Sequence, residues 1–453
     1  MTFIIKPPRR GGIKPRLFLS VFLSLIAISV ASGQQNKIDS LIRNYDYQGA
    51  LVVIDSAYTD SLDVNTLYLK AISLKALSRY PEAIACYDTL YKKDSANTRV
   101  SIELADCFKS VMNYDKPEEL YLKAIEYKPG NRYLMQLLAG VYMTTEQFGK
   151  AKEWYLKACT NDTSVFLLKQ IGWCCDKMLQ DEEAEYYYKK AMNLDPDDYQ
   201  PVFRLGNLYK DQRDYEQAIA VTDSFLNRHP DNREVTRLSG YAHYLNQTFR
   251  KSIARFQCSL ELSDSSAFVL KYLGYSYFKL AEYPNAIKYM EKVYAVDSSD
   301  ADLCWALGLA HDVPLNIRYF QRAIDLGLPV LTAMAKVYLD LSLAYTKAWR
   351  YNEALEALNN ALSLKPGDPG VIYKLAVHYD NWMDDKLSAF KYYREFMATR
   401  PDDFSEYFMT GISVVNRSDY DQAERRIKDI EQTDASVMEA DSLTGPEKLI
   451  LQE

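Results

Sequence analysis

Small residues return along this chain with a period of 34. Ala71, Ala105, Ala139, Gly172, Gly206, Gly240, Gly274, Gly308, Ser342, Ala376 and Gly411 follow one another at gaps of 34, with one gap of 33 and one of 35. A period of that length marks a stack of like supersecondary units, each touching only its neighbours. The 453 residues therefore read as one array and not as three ordinary domains. Such an array presents a long surface, which moves the expectation from catalysis toward binding.

The unit from Gln200 to Asn232 shows the anatomy. Leu205, Gly206 and Tyr209 mark a first helix, Tyr215 and Ala218 open a second, and Pro230-Asp231-Asn232 closes the unit. Apolar or small residues at steps of three and four lie on one face of each helix. Gly206 and Ala218 are small where the two helices are expected to approach most closely. Pro230 lacks the N–H that a continuing helix would need, so the second helix stops there.

These residues resemble the tetratricopeptide repeat, whose pattern is W-x2-L-G-x2-Y followed by Ala, an aromatic, Ala and Pro. Leu138-Ala139-Tyr142 with Ala151, Tyr155 and Ala158 fits it, as do Leu273-Gly274-Tyr277 with Tyr283 and Ala286, and Gly172 with Ala184, Tyr188, Ala191 and Pro196. The resemblance covers about residues 36 to 434. It implies an all-α, right-handed superhelical solenoid of antiparallel helix pairs, with about 11 repeats plus caps. Repeats are expected to begin near 64, 98, 132, 165, 199, 233, 267, 301, 335, 369 and 404, after a shortened pair at 37–60. The solenoid would occupy 34–432, and 433–453, which contain Gly445-Pro446, would be a frayed tail.

Departures from the pattern carry further expectations. Pro117 stands where Ala is usual, which places the start of its helix near Lys116. In the unit from Ala301, the turn His311-Asp312-Val313-Pro314 is about four residues short. About four residues return near Gly327-Leu328-Pro329, so a kink is expected there. The last pair, Phe404 to Ile430, keeps Gly411, Tyr420 and Ala423 with a highly charged second helix, as a capping repeat requires.

The first 33 residues hold five bases and no acid, then the apolar run Leu17–Val30 and Ala31-Ser32-Gly33. This is the plan of a secretory signal peptide, with cleavage expected after Gly33. The alternative is an uncleaved anchor built on Leu17–Val30, although this run is shorter than the roughly 20 residues of a spanning helix. An exported protein, periplasmic or secreted, follows. Losing a leader of five positive charges takes the formal charge from −7 to −12, which disfavours nucleic acid and anionic membrane surfaces as partners. Membrane insertion of the mature chain is not expected. The seven cysteines fall mostly at small apolar positions and read as buried free thiols, with a bridge from Cys159 to Cys174 or Cys175 left open.

No phosphate loop, H-E-x-x-H, G-x-S-x-G or histidine–cysteine metal spacing is present in the sequence. His229, His243, His311 and His378 are isolated. Neither catalytic residues, nor a metal, nor a cofactor is expected. In the repeat family, the second, fifth, sixth, ninth, twelfth and thirteenth positions of each unit face the concave side. Carried over, these include Lys169, Trp173 and Lys177, then Phe203, Arg204, Asn207 and Lys210. Arg237, Tyr241 and Tyr244 follow, then Lys271, Tyr272, Tyr275 and Phe278, and finally Trp305. Rings interleaved with cations and amides suit a protein or peptide, because rings supply area and cations fix polar ends. The carboxylate clamp of some cochaperones of the family is not implied. Asn207 fits it, but Phe203 stands where its Lys belongs and Leu238 where its second Asn belongs.

The leading expectation is thus a non-enzymatic scaffold that binds a protein or peptide segment in its concave groove, in a cell-envelope or secretion assembly. The alternatives are a polymer such as a glycan stacked on the rings, or an accessory role beside an envelope enzyme. The neighbourhood of the expected kink is the first place to look for a partner.

Overall fold

A computed structural model describes residues 34–57, 62–160, 163–401, 407–409 and 414–433. The expected leader, most of the tail, Gly411 and the Phe404 end of the last pair lie outside the described residues. The elements come as helix pairs. They are α1 (34–43) with α2 (Tyr47–Ala57), α3 (Val64–Ala76) with α4 (Tyr80–Lys93), α5 (Thr98–Ser110) with α6 (Asp115–Tyr127), and α7 (Arg132–Thr144) with α8 (Phe148–Cys159). Next are α9 (Val165–Lys177) with α10 (Asp181–Leu194), α11 (Tyr199–Asp211) with α12 (Tyr215–Leu226), and α13 (Arg233–Leu245) with α14 (Phe249–Glu261). Then come α15 (Ala267–Lys279) with α16 (Tyr283–Val296), α17 (Ala301–Ala310) with α18 (Leu315–Leu326), α19 (Leu331–Lys347) with α20 (Tyr351–Leu364), and α21 (Pro369–Asn381) with α22 (Lys386–Ala398). Strands β1 (Tyr407–Met409) and β2 (Val414–Asn416) and helix α23 (Arg417–Thr433) complete the described chain. The architecture is that of stacked helical hairpins, divided into two compact units, Met1–Leu208 and Tyr209–Glu453.

In the first unit, α3, α5, α7 and α9 each start on a side-chain cap. Asp63, Asn97, Asn131 and Ser164 accept from backbone N–H groups two or three residues on. This satisfies donors that the first turn leaves orphaned. Each hairpin is then held by a ring. Tyr87, Tyr121, Tyr155 and Tyr188, sixteen residues beyond Ala71, Ala105, Ala139 and Gly172, are buried against the first helices. A Cβ added at Gly172 would lie 2.7 Å from the Tyr188 ring, so there the small residue makes room for a ring of the second helix. The excess of tyrosine is in part this packing.

The second unit repeats the plan with Asn232, Asp300 and Asp368 as caps. Phe256, Met290 and Leu358 take the place of the tyrosine knob. The seven cysteines of the chain are all free thiols, and Cys159 is bridged to neither Cys174 nor Cys175.

Two elements depart from the sequence-based expectation. The shortage after Ala301 is taken from the helix and not from the turn: α17 has 10 residues and ends at Ala310. Pro314 explains it, since the residue before a proline is driven out of helical backbone and the missing N–H could not continue the ladder. The compensating residues are wound onto α19, which has 17 and begins at Leu331, just past Pro329. The second departure is at the end, where strands replace a helix in the described part of 404–416. β1 pairs antiparallel with β2 in the register Tyr407↔Asn416. Val415 from β2 is buried in a core with Ile372, Phe396 and Tyr420. The segment 407–416 is rich in β-branched and aromatic residues, which favour a pleated conformation over the frame of small residues.

Candidate binding cleft

The groove positions of the first unit are partly self-satisfied. Arg204 places its guanidinium 4.3 Å from the centroid of the Trp173 ring. Lys169 pairs with Asp198, the residue preceding the next first helix, and donates to Gln200 Oε1 at 2.8 Å. Asn207 Nδ2 donates to the carbonyl of Phe203 at 2.8 Å, while Lys177 is exposed.

The second unit uses its cations in the same way. Lys210 lies 3.1 Å from Asp211, Arg237 Nη1 lies 3.1 Å from Asp264, and Lys271 pairs with Asp300. Asp300 also caps α17. Lys169, Arg237 and Lys271, which the sequence suggested as groove cations, therefore also tie one hairpin to the next, while Asp211 is the neighbour of Lys210 on its own helix. The same 29-residue spacing between Lys169 and Asp198, and again between Lys271 and Asp300, was present in the sequence as the signal for this.

The aromatic residues come together as one cluster. Tyr241 lies 4.5 Å from Tyr272 and 5.1 Å from Phe268, and Tyr244 lies 5.0 Å from Tyr272 and 6.4 Å from Tyr275, all between ring centroids. Most of these contacts are edge-on or tilted, the arrangement that ring quadrupoles favour. The Tyr272 hydroxyl donates to that of Tyr241 at 3.5 Å. Burial and this bond push the Tyr241 hydroxyl up to about 12. Burial likewise raises Tyr244 and Tyr275.

Beside the cluster, side chains from α13, α15, α17 and α19 line a cleft of about 410 Å³. Tyr244, Tyr275, Phe278, Trp305, Ala306 and Leu309 supply its apolar wall, and Lys279, Asp302 and Lys336 its polar groups. Trp305 is fixed by its indole Nε1–H, which donates to Asp340 Oδ2 at 2.9 Å, and the Lys336 ammonium sits 5.8 Å from the ring centroid. Burial raises the pKa of Asp340, against the opposing effects of the Trp305 bond, Lys336 and Lys374. The cleft adjoins the shortened α17. Tyr244 and Phe278, each four residues beyond the small residue of its helix, have no helical counterpart on α17 because it ends at Ala310.

The sequence reading named Tyr244, Tyr275, Phe278 and Trp305 but missed Phe268, Lys279, Asp302, Leu309, Lys336 and Asp340. All six occupy expected groove positions of their units, so the positional rule, applied in full to the units from 267, 301 and 335, would have found them. The histidines are structural in their contacts: His243 is buried between Asp223 and Thr248, and His311 lies 3.1 Å from Glu291. Among the described residues, no group of three or more His, Cys, Asp or Glu is placed to hold a metal ion.

Models of the tetratricopeptide repeat match residues 133–164, 182–240 and 335–368. The chain carries tetratricopeptide repeats. A tetratricopeptide repeat protein of known structure from Parabacteroides merdae is similar over 62% of this chain and 98% of that one, with 14% identity and a TM-score of 0.38. Human protein O-mannosyl-transferase TMTC1 is 27% identical over 146 residues, 32% of this chain and 17% of that protein. The TPR repeat-containing protein MJ1428 of Methanocaldococcus jannaschii is 20% identical over 315 residues, 66% of this chain and 50% of that protein. The chain thus spans half or less of the length of these curated relatives. No helix among the described residues is long and apolar enough to cross a membrane.

Proposed function

We propose that this TPR array is a non-enzymatic scaffold that binds a protein or peptide segment along the first helices of its second unit. The observation that carries the reading is the cleft beside the aromatic cluster, where packed rings meet Lys279, Asp302 and Lys336 on helices fixed by their neighbours. A groove whose walls are held before the ligand arrives loses less entropy on binding. The sequence carries none of the common phosphate-loop, metalloprotease or serine-nucleophile motifs, which supports the non-enzymatic reading.

The groove is tested by exchanging apolar side chains that stand in water at the ninth position of two units. Leu309→Arg with Leu343→Arg removes exposed apolar area, 40% and 46% accessible in the two residues, without touching the core. Partner recovery from the native source should fall at least tenfold while the circular dichroism spectrum is unchanged. Undiminished recovery would reject the groove.

We also infer that the chain is exported and works in a cell-envelope or secretion assembly. The support is the leader-like composition of residues 1–33. The mass of the protein recovered from its source should correspond to a chain starting at Gln34. A chain retaining Leu17–Val30 and recovered with membranes would instead support the anchored form.

A further inference from the structure

The cleft between α13, α15, α17 and α19 has a more definite chemistry than a general groove. We propose that it is a side-chain pocket for a peptide carrying an aromatic or branched aliphatic residue within two positions of an acidic one. This rests on the peptide-binding reading given above and specifies the ligand.

Size gives the first argument. About 410 Å³ is near the small end of ligand pockets, roughly 300–1,000 Å³, and suits one or two side chains in an extended segment. The apolar wall receives an apolar side chain, and the Asp340 bond already fixes Trp305 for that contact. The second argument is an unmet polar group: the Tyr275 hydroxyl oxygen is buried and has no hydrogen-bond partner among the described residues. A peptide N–H or C=O entering the cleft can supply one, which a purely apolar occupant could not.

Charge gives the third. Lys271 and Asp300 cancel as a pair. Around the cleft this leaves Lys279, Lys336 and Lys374 against Asp302 and Asp340, and Asp340 is turned to the indole N–H of Trp305. Neither Lys279 nor Lys336 has an ion-pair partner among the described residues. A local excess of positive charge in a chain of formal charge −7 favours an acidic ligand group. Stacking of a sugar is disfavoured because Tyr244 already stacks with both Tyr241 and Tyr275 and Lys336 lies over Trp305.

The experiment is selection of a displayed library of random heptapeptides on the whole chain, followed by binding of synthetic copies of the enriched sequences. Enriched peptides should pair an aromatic or branched aliphatic residue with Asp or Glu no more than two positions away. Their affinity should drop at least tenfold with Lys336→Glu, an exposed position, and with rising salt. Exchanging the peptide's acid for Lys should restore binding to Lys336→Glu. Enrichment without an acidic bias, or indifference to Lys336→Glu in a folded variant, overturns the proposal. Peptides that lose affinity with Arg237→Glu but not Lys336→Glu would leave the groove reading standing and overturn the cleft as its site. No enrichment at all would count against both. A glycan-array signal abolished by Trp305→Ala, with no peptide enriched, would replace the peptide class.

Discussion

At the scale of single residues, the close contacts of the hairpins and the backbone of their turns make opposite demands. Gly308 tolerates no side chain, because a Cβ there would fall 2.5 Å from the buried Phe320 ring. Gly308→Ala should therefore destabilise the second unit by about 1–3 kcal/mol, the usual range for overpacking, as read by urea unfolding. An unchanged midpoint would mean that the ring moves aside freely. The turn between helices asks for the reverse. Tyr45, Ser78, Met112, Glu146, Leu179, Arg213, Gln247, Ala281 and Trp349 all have φ near +60° at the end of a first helix. Leu179 is typical: its N–H donates to the Asp176 carbonyl and that of Gln180 to Cys175, closing the helix in a Schellman arrangement. This was not legible, because the usual signal is glycine and none of these turns has one. Leu179 is also 86% exposed, so Leu179→Gly gives up little packing. It should stabilise by up to about 1 kcal/mol, the relief of left-handed backbone less the entropy glycine brings to the unfolded chain. A loss of stability would indicate that the exposed leucine makes a contact.

At the scale of elements, α23 is held by charge. Asp380, nearly fully buried, accepts from Arg426 Nε and Nη2 at 2.7 Å each and from Lys386 Nζ at 2.9 Å. Burial alone would raise this carboxyl, but the bonds from Arg426 and Lys386 outweigh it and hold it at about 2. The folded value lies below the ordinary 3.8, so this contribution is whole above pH 3.8 and is lost as pH falls through 2. His378, whose pKa burial lowers from 6.5, adds a separate loss that begins at higher pH, because charging it in the folded state is disfavoured. Asp380→Asn should abolish the most acidic part of the profile and cost about 3 kcal/mol, toward the lower end for a broken buried pair because Arg426 stays partly in water. A pH profile identical to that of the unaltered protein would show that the carboxylate is not the clip. Residues of this clip stand 46 apart in the chain, Asp380 to Arg426, and nothing in a 34-residue frame points to such a pairing.

At the scale of the whole molecule, the 34-residue frame made the sequence legible as helix pairs, because caps, small residues and ring knobs recur with it. Where the frame is kept only in spacing, it misleads. Gly411, Tyr420 and Ala423 keep the rhythm, yet β-branched composition turns the described part of 404–416 into paired strands. Pro314 removes a turn from α17, and the array makes up the length with four extra helical residues in α19. That exchange adjoins the cleft proposed as the binding site. The site was readable as a set of aromatic positions; the identity of the cations that remain available was not, because pairing across repeats depends on side-chain reach. The central claim is that a protein segment occupies the cleft, and site-specific photo-crosslinking in the native source tests it most directly. A photoreactive phenylalanine analogue at Leu309, in the cleft, is compared with one at Lys251, exposed on a second helix. A discrete protein adduct is expected from position 309, absent from 251 and suppressed by Lys336→Glu. Equal labelling at both positions, or none at 309, would contradict it.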